Sequence, residues 1–261
     1  MPLVTRLRGL VKSAIVRRAR DVTEEVATRS AVVLAPHPDD ETLGCGALIL
    51  RKRAAGTAVT VVMVTDGRHS HRSAAITPDQ LAARRREELR EAAVRLQLSP
   101  DAVRWIDIED GTVAANEDRL VAIVEELLAE LEPDELYATS ADEPHPDHAA
   151  VGRAARRAAG SLPGVAVLEY PVWLWEAWPL RPGNRLGSLW EAAGRLLGRR
   201  AVAVRTEGHL LAKLRALNAH QTQVARPVEV LDGEEWAVLP EPVMRAAGAP
   251  LEIFFPATTA P

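Results

Sequence analysis

Short apolar runs alternate with longer helical patterns along most of this chain, and this alternation limits the folds open to it. The run TAVTVVMVT at residues 57–65 is rich in β-branched residues and lacks a polar face, which is typical of a strand buried on both sides. Further strands are predicted at residues 31–35, 103–108, 135–139, 165–168 and 251–255. Because parallel strands need helical crossovers, we predict an α/β fold: a Rossmann-like three-layer sandwich with a mostly parallel sheet and helices on both faces.

The segments between these strands carry the start and stop signals of helices. Thr77 and Pro78 supply an N-cap and a proline at the first helical position, and they open a charged helix that runs to about Leu98. The helix predicted at residues 42–56 ends in glycine. Further helices are predicted at residues 116–131, 148–159 and 206–224.

The N-terminal segment differs from the rest of the chain. Apolar residues recur at helical spacing over residues 1–20 and basic residues interrupt them, so neither a signal peptide nor a membrane span is predicted. We expect residues 1–30 to form a basic amphipathic helical extension that packs on the protein body or on another subunit. Contact of residues 1–20 with an anionic membrane surface is the less favoured alternative. Residues 31–261 are predicted to form a single domain.

Composition excludes several classes of protein. The chain has 261 residues, 47% of them hydrophobic and 26% charged, which is ordinary for a soluble globular protein. A net charge of −4 gives no reason to expect a nucleic-acid partner. Cys45 is the only cysteine, so no intrachain disulfide can form, and we predict a cytoplasmic protein. A homo-oligomer is compatible with the sequence.

A tryptophan-rich segment interrupts the alternating pattern at residues 170–200. Its tryptophans lie among prolines and glycines and comprise Trp173, Trp175, Trp178 and Trp190. We interpret the segment as a lid or insert beside a functional site; a hydrophobic cover for one sheet edge is the alternative.

Polar residues follow four of the predicted strands at the point where each strand ends. These residues are His37, Asp66, Asp110 and His145. Open α/β sheets bind ligands at the carboxyl ends of their strands. The sequence therefore predicts a functional site at this edge.

Two motifs at that edge contain the types of residue that bind metals. His37-Pro38-Asp39-Asp40-Glu41 and His145-Pro146-Asp147-His148 each combine imidazole and carboxylate within a few residues. Asp39 or Glu41 alone would be explained as a helix cap, but a cap has no need of a histidine. Two imidazoles and one carboxylate, with a position left for water, suit a catalytic zinc site and equally suit ferrous iron.

With these motifs the chain resembles the PIG-L (LmbE-like) metal-dependent N-deacetylases, from about Ala31 to Phe255. The family includes N-acetylglucosaminyl-phosphatidylinositol deacetylase and the deacetylase of mycothiol synthesis. Other matching positions are T-D-G at 65–67, Arg85-x-x-Glu88-Leu89, Asp110-Gly111 and Lys213-x-x-Ala216-Leu217-x-x-His220-x-x-Gln223.

The resemblance implies a role for each matching residue. His37, Asp40 and His148 would hold Zn²⁺, or Fe²⁺ in the cell. Asp39 would be the general base that deprotonates the attacking water, and His145 the general acid that protonates the leaving amine, oriented and kept charged by Asp147. Arg85 and Asp110 would contact the substrate, and His220 would lie near the site without an assigned role.

One position departs from the family pattern. A tyrosine in the mycothiol branch stands two residues before the first histidine of the second motif, where it helps to stabilise the oxyanion. This chain has Glu143 there, which cannot donate a hydrogen bond while ionised. The difference argues against a mycothiol-type substrate.

The implied function is a zinc-dependent hydrolase that removes the N-acetyl group from an N-acetylglucosamine-type glycoside or conjugate. Alternatives are an amidase acting on a related sugar-thiol conjugate and a non-catalytic sugar-binding relative. A ferrous oxygenase would need a jelly-roll strand pattern. A nucleotide-binding module would need a G-x-G-x-x-G turn after the first strand. Both are disfavoured.

Overall fold

The computed structural model describes residues 3–162, 164–177, 187, 201–231 and 234–257. Its helices are α1 (Leu3–Arg18), α2 (Thr23–Ala27), α3 (Asp40–Ala54), α4 (Pro78–Arg95), α5 (Glu117–Leu131), α6 (Pro146–Gly160), α7 (Leu174–Ala177), α8 (Leu210–Leu217), α9 (Gln221–Val224) and α10 (Glu241–Ala247). Its strands are β1 (Arg20–Asp21), β2 (Ala31–Ala35), β3 (Val59–Met63), β4 (Val103–Trp105), β5 (Glu135–Thr139), β6 (Ala166–Tyr170), β7 (Val202–Arg205) and β8 (Leu251–Pro256). Short 3₁₀ turns occupy Pro100–Ala102 and Val113–Asn116.

The strands form one sheet in the order β1-β7-β8-β6-β5-β2-β3-β4. In the described part of the chain, β8 runs antiparallel to both of its neighbours and the other paired strands are parallel. Strands β2 and β5, which precede the two histidine motifs, are direct neighbours. The carboxyl ends of these two strands therefore lie side by side.

Helices cover both faces of the sheet, because alternate residues of each central strand point to opposite sides. Val33 of β2 faces a core formed with α3, α4 and α8, whereas Leu34 faces a second core formed with α5 and α6. This arrangement confirms the predicted α/β fold.

Two details differ from the sequence prediction. The helix predicted at residues 206–224 is two helices, α8 and α9, separated by a turn that places His220 at the start of α9. Strands β1 and β7 and helices α2, α7 and α10 were not predicted, since short elements give too little periodicity to recognise. Strand β7 extends the sheet beyond β8, and β1 pairs with it at the edge.

Helix α1 lies against this added part of the sheet. Val11, Ile15 and Ala19 pack with Ala203 of β7 and Ile253 of β8. Of the tryptophan-rich segment, residues 170–177 and 187 are described: α7 follows β6, whereas Trp178 and Trp190 lie outside the described residues. No described helix combines the length and the apolar character needed to cross a bilayer.

A buried ion pair contacts the main chain of α3 near its N-terminal end. Lys213 Nζ lies 2.8 Å from Glu252 Oε1 and donates to the Leu43 carbonyl at 2.9 Å. Glu252 accepts hydrogen bonds from the amides of Ala47 and Leu48 at 2.7 and 2.8 Å. Both charged side chains are almost fully buried, with exposures of 1% and 2%. The pair therefore ties α8 and β8 to the helix that carries Asp40 and Glu41.

We expect the substitution Glu252→Ala to lower the free energy of unfolding by about 3–5 kcal/mol, because it leaves the ammonium of Lys213 buried without its counter-charge. Urea denaturation measures the change through the midpoint at an unaltered slope. The control is Glu130→Ala, which removes an exposed partner of Arg104 and should leave the midpoint close to wild type. Similar midpoints for the two variants would contradict this account of the pair.

Candidate metal centre and active site

The first histidine motif forms the turn between β2 and α3. His37 follows the strand, and Asp40 begins the helix, where the exposed amides favour a carboxylate. Asp39 between them has φ of +130°, a backbone conformation that is strained for a residue other than glycine. The amide of Asp39 donates to Glu41 Oε2 at 3.0 Å, which helps to hold this turn.

The second motif forms the N-terminus of α6. His145 caps the helix, and its Nδ1 accepts a hydrogen bond from the Asp147 amide at 3.3 Å. His148 lies in the first turn, and its carbonyl accepts a hydrogen bond from Thr139 Oγ1 at 2.8 Å. The helix approaches the end of β5 so closely that a Cβ at Gly152 would lie 2.4 Å from the Ala141 nitrogen. Only glycine permits this approach, which brings His148 to the sheet edge.

The two motifs meet at three side chains. His37 Nδ1 lies 3.2 Å from His148 Nε2 and 3.4 Å from Asp40 Oδ2, and His148 Nε2 lies 3.3 Å from the same oxygen. All three residues are buried or nearly so. The structure thus brings together the three metal ligands expected from the sequence.

These separations fit a divalent cation. A tetrahedral ion with bonds of about 2.0–2.1 Å holds its ligand atoms about 3.3–3.4 Å apart. Burial lowers the pKa of His148 to about 3 even though Asp40 opposes the shift, so the ring is neutral at pH 7 and can act as a ligand. The cluster therefore suits a divalent metal ion by donor type, spacing and protonation state.

Two further carboxylates lie beside His37 on the side away from His148. His37 Nε2 lies 3.1 Å from Asp110 Oδ1 and 3.5 Å from Asp147 Oδ2. Burial opposes a charge on His37, yet the hydrogen bonds and charges of Asp110, Asp147 and Asp40 raise its pKa well above the ordinary value. When Nε2–H donates to a carboxylate, the Nδ1 lone pair faces the metal position.

Asp110 and Asp147 contact His37 and backbone amides, which differs from the roles that the family resemblance implied. Asp110 was expected to contact substrate, but Oδ1 faces His37 and Oδ2 accepts from the His69 amide at 2.7 Å. The carboxylate of Asp147 was expected to orient His145, but it accepts from the Gly111 and Val113 amides and lies near His37. In this geometry both carboxylates position His37, a candidate metal ligand.

Asp39 lies next to the candidate metal ligands and is also buried. Burial raises its pKa to about 7, although the Arg85 guanidinium, 3.7 Å from Oδ1, opposes the shift. Arg85 was expected to contact substrate, yet it is 2% exposed and donates to the carbonyls of Pro38 and Gly67 at 2.6 and 3.2 Å. Arg85 therefore braces the turn that carries Asp39.

His145 is more accessible than the residues around it. Burial and the neighbouring positive charge of His37 lower its pKa, although Asp147 and other carboxylates oppose the shift. Its ring lies 5.1 Å from His37 and 4.9 Å from His148, centroid to centroid. Because Nδ1 accepts a hydrogen bond, Nε2 is the nitrogen left to meet a ligand.

The sequence did not identify Glu41 as a functional residue, and it left the role of His220 open. His220 is fully buried, with Nε2 3.3 Å from Glu41 Oε1, and the other oxygen of Glu41 accepts the Asp39 amide. The two residues thus connect α9 to the strained turn at Asp39. In the sequence, the only indication that these two residues support the site was their position in the H-P-D-D-E and His220-x-x-Gln223 motifs.

Asp66 lies at the same sheet edge and pairs with Arg68, with Oδ2 2.8 Å from Nη2.

Glu143, at the position of the missing tyrosine, supports the neighbouring loop. Its carboxyl oxygens accept hydrogen bonds from the amides of Val172 and Leu174 at 2.6 and 3.1 Å. Burial raises its pKa to about 8, although these hydrogen bonds oppose the shift. The residue therefore connects the second histidine motif to the segment after β6.

Comparison with known proteins identifies the family. The sequence model of the PIG-L family, described as GlcNAc-PI de-N-acetylase, matches residues 32–159, which include the three candidate metal ligands. A 1D-myo-inositol 2-acetamido-2-deoxy-alpha-D-glucopyranoside deacetylase from Saccharopolyspora erythraea is 32% identical over 232 residues, covering 72% of this chain and 75% of that protein. This chain belongs to the PIG-L family. It is therefore an N-deacetylase, a hydrolase that cleaves an amide C–N bond, as the motifs implied.

Solved structures share the fold of this PIG-L chain at lower identity. The N,N'-diacetylchitobiose deacetylase from Pyrococcus horikoshii has a TM-score of 0.55 at 20% identity, over 85% of this chain and 79% of that chain. The zinc-inhibited form of teicoplanin deacetylase Orf2 has a TM-score of 0.59 at 18% identity, over 87% and 97%. At these identities the likeness shows the fold alone.

We expect Asp110→Ala to weaken Zn²⁺ binding by about 10- to 100-fold, because His37 loses the carboxylate that fixes its ring and its tautomer. Competition with a chromophoric chelator measures the dissociation constant. The control is Glu109→Ala, the neighbouring exposed carboxylate, which should leave the constant unchanged. Equal affinities for the two variants would show that Asp110 does not support the metal ligand.

Proposed function

We propose that this PIG-L enzyme uses Zn²⁺ to hydrolyse the acetamide of an N-acetylglucosamine-type glycoside or conjugate. The observation that supports the proposal best is the convergence of His37 Nδ1, Asp40 Oδ2 and His148 Nε2 to within 3.2–3.4 Å, beside a buried Asp39. These three side chains would hold the ion. A bound divalent cation would supply Lewis acidity, which lowers the pKa of water and of nearby carboxyl groups and favours charge on the acetamide oxygen.

Asp39 is the proposed general base. The residue precedes Asp40 and is almost fully buried; its backbone amide donates to Glu41, and its carboxyl lies 3.7 Å from the Arg85 guanidinium. A base whose pKa lies near the working pH takes a proton efficiently and can release it later. Asp39 would therefore remove a proton from the water that attacks the acetamide carbon.

His145 is the proposed general acid. An amine leaves poorly unless it is protonated, and Nε2 of His145 is the accessible nitrogen at the rim of the site. Burial and the charge of His37 lower its pKa, whereas the carboxylates of Asp147, Asp40 and Asp110 oppose the shift, so the protonated form gives up its proton readily. Protonation by His145 of the departing nitrogen would complete cleavage of the C–N bond.

The proposed substrate class is supported by the relatives. The Saccharopolyspora protein is named for an N-acetylated glucosaminide of inositol and the Pyrococcus protein for an N-acetylated disaccharide. An acetamide on a sugar is common to both names. Arg85 and Asp110 are engaged within the protein, so we do not assign them as substrate contacts.

The deciding experiment measures bound metal and acetate release together. The purified enzyme is assayed with free N-acetylglucosamine, its glycosides and the glucosaminyl-inositol substrate, before and after chelation and Zn²⁺ readdition. We expect acetate release that disappears with the metal and returns with it. His148→Ala should lose the metal and the activity together. Activity that persists in metal-free enzyme, or wild-type metal content in His148→Ala, would refute the proposal.

We expect Asp39→Asn to keep the metal and lose turnover by about two to four orders of magnitude, because the amide cannot accept the proton of the attacking water. Metal analysis and initial rates are measured on the same preparation. Asp79→Asn, an exposed carboxylate at the start of α4, serves as the control. Loss of zinc in Asp39→Asn would show that Asp39 is a ligand and not only a base.

We expect the wild-type rate to fall as pH rises through the pKa of His145, because a general acid must be protonated to act. The bound cation would lower the pKa of Asp39 below that of His145. Because burial lowers the pKa of His145, the fall should then begin below about 6.5, the ordinary histidine value. In His145→Ala the rate should be lower overall and this basic limb should disappear. A profile with the same basic limb in the variant would remove His145 as the acid.

A further inference from the structure

The peptide group that joins Pro38 to Asp39 is held at both of its polar atoms. Arg85 Nη2 donates to the Pro38 carbonyl at 2.6 Å, and the Asp39 amide donates to Glu41 Oε2 at 3.0 Å. Arg85, Asp39 and Glu41 are all buried. This one peptide group therefore meets a buried cation on one side and a buried carboxylate on the other.

These two contacts matter because the backbone of Asp39 is strained. Its φ is +130°, a conformation that persists in a residue other than glycine only when surrounding contacts impose it. Without those contacts, rotation about the N–Cα bond of Asp39 would release the strain. That rotation changes the position of the Asp39 carboxyl relative to the turn. The contacts of the peptide group therefore decide where this carboxyl lies.

Glu41 can hold the Asp39 amide only while its own carboxylate is fixed. Its second oxygen, Oε1, accepts a hydrogen bond from the hydroxyl of Thr42 and lies 3.3 Å from His220 Nε2. Glu41 and His220 are both fully buried. A buried carboxylate is costly unless it is paired and hydrogen-bonded. His220 is thus the residue that pairs with the carboxylate of Glu41.

The charges around His220 favour its protonated form. Burial opposes a charge on the ring, yet Glu41 and Asp39 raise its pKa above the ordinary value, although Arg85 opposes the shift. An imidazolium carries a proton on both nitrogens, so Nε2 can donate to Glu41. Each of the two buried carboxyl groups, of Asp39 and Glu41, therefore has a cationic side chain beside it.

The fold fixes His220 from the side of α9. The residue begins this helix, and two amides of the helix donate to its carbonyl at 2.9 and 3.1 Å. Glu88 of α4 holds α9 in place, because its carboxylate accepts the amide and the hydroxyl of Thr222 at 2.8 and 2.7 Å. Glu88 follows Arg85 by three residues and so lies on the same face of α4. One face of α4 therefore holds both the peptide group and the helix of His220.

The neighbouring candidate metal ligand is held by other contacts. Asp40 Oδ2 accepts a hydrogen bond from the His37 amide at 3.0 Å, and the Asp40 amide donates to the His37 carbonyl at 3.2 Å. Neither contact involves Glu41 or His220. Loss of the pair should therefore disturb Asp39 more than Asp40.

We propose that Glu41 and His220 form a positioning pair for Asp39, in which His220 fixes the carboxylate of Glu41 and Glu41 fixes the peptide group of Asp39. The inference rests on the proposed function, in which Asp39 is the general base. Misplacement of a catalytic group by about 1 Å can cost about 100-fold in rate. Loss of the pair should therefore lower kcat, whereas KM and bound zinc should stay at the wild-type values.

The test replaces His220 by two amides that differ by one methylene group. The amide nitrogen of glutamine can reach the place of Nε2, whereas that of asparagine reaches only the place of Nδ1. We expect His220→Asn to lower kcat for acetate release from the preferred N-acetylglucosaminide by about 30- to 100-fold. His220→Gln should recover most of that loss. The control is His209→Asn, the same change at the half-buried histidine before α8, which should keep the wild-type kcat.

A second comparison determines whether the pair acts through Asp39. In an Asp39→Asn background, His220→Asn should lower the residual rate by less than about twofold, because effects of residues that act as a unit are not additive. An equal factor in both backgrounds would contradict the inference. Loss of zinc from His220→Asn alone would also contradict it, since the pair would then support the candidate metal ligands.

Hydrogen exchange of the Asp39 amide, measured by NMR, tests the same contact without a substrate. We expect exchange about tenfold faster than wild type in His220→Asn and close to wild type in His220→Gln. Unchanged exchange in His220→Asn would refute the inference even if kcat falls. Glu41→Leu with His220→Leu replaces the pair by apolar side chains, a change that often preserves stability. It should give the faster exchange and the lower kcat even if His220→Asn does not fold.

The outcomes separate this inference from the proposed function. Acetate release by the wild type, with equal kcat in His220→Asn and His220→Gln, would overturn the inference and leave the deacetylase function intact. No acetate from any N-acetylglucosaminide would overturn the proposed function and, with it, the catalytic role of the pair. Faster exchange in His220→Asn would then show that the pair supports the turn alone.

Discussion

The parallel pairing of β2 with β5 is the constraint on which the rest of this structure depends. In that register Val33 lies opposite Tyr137, so the turns that follow the two strands leave the sheet side by side. His37 comes from one turn and His148 from the helix after the other, and their facing nitrogens are 3.2 Å apart. A shift of one residue in this register would reverse the inward and outward faces of a strand buried on both sides. The fold therefore specifies the candidate metal centre and the core through the same hydrogen bonds.

Electrostatics around His37 explain why this edge of the sheet suits a cation. Asp40, Asp110 and Asp147 surround one imidazole in a site from which water is largely excluded, and the buried Asp39 lies alongside. Concentrated negative charge of this kind is costly unless a positive charge compensates it. Without a metal ion, His37 would supply that positive charge as an imidazolium, because the carboxylates raise its pKa. A bound metal ion would supply it instead. Burial, together with the charge of Asp40, also raises the pKa of Asp39 to about 7, although Arg85 opposes the shift.

The supports of the site come from parts of the chain remote from either histidine motif. Lys213 and Glu252 hold the main chain of α3, Arg85 holds the carbonyl of Pro38, and His220 reaches the Asp39 turn through Glu41. These contacts keep a strained φ at Asp39 that the local sequence would not maintain. Leu43 and Gly44 of the same helix also line a cavity between α1 and the body of the protein.

The sequence alone predicted the α/β class, most strands and helices, and the residues that meet at the candidate metal centre. It could do so because β-branched runs bury both faces of a strand, and because histidine and aspartate after a strand end have few structural uses together. It did not determine the break between α8 and α9, the short strands β1 and β7, or what Arg85, Asp110 and Asp147 contact. These features depend on tertiary structure, because the residues around a side chain in sequence do not indicate which distant residue it contacts. The cavity beneath α1 exists only because helix, strand and loop from opposite ends of the chain pack there.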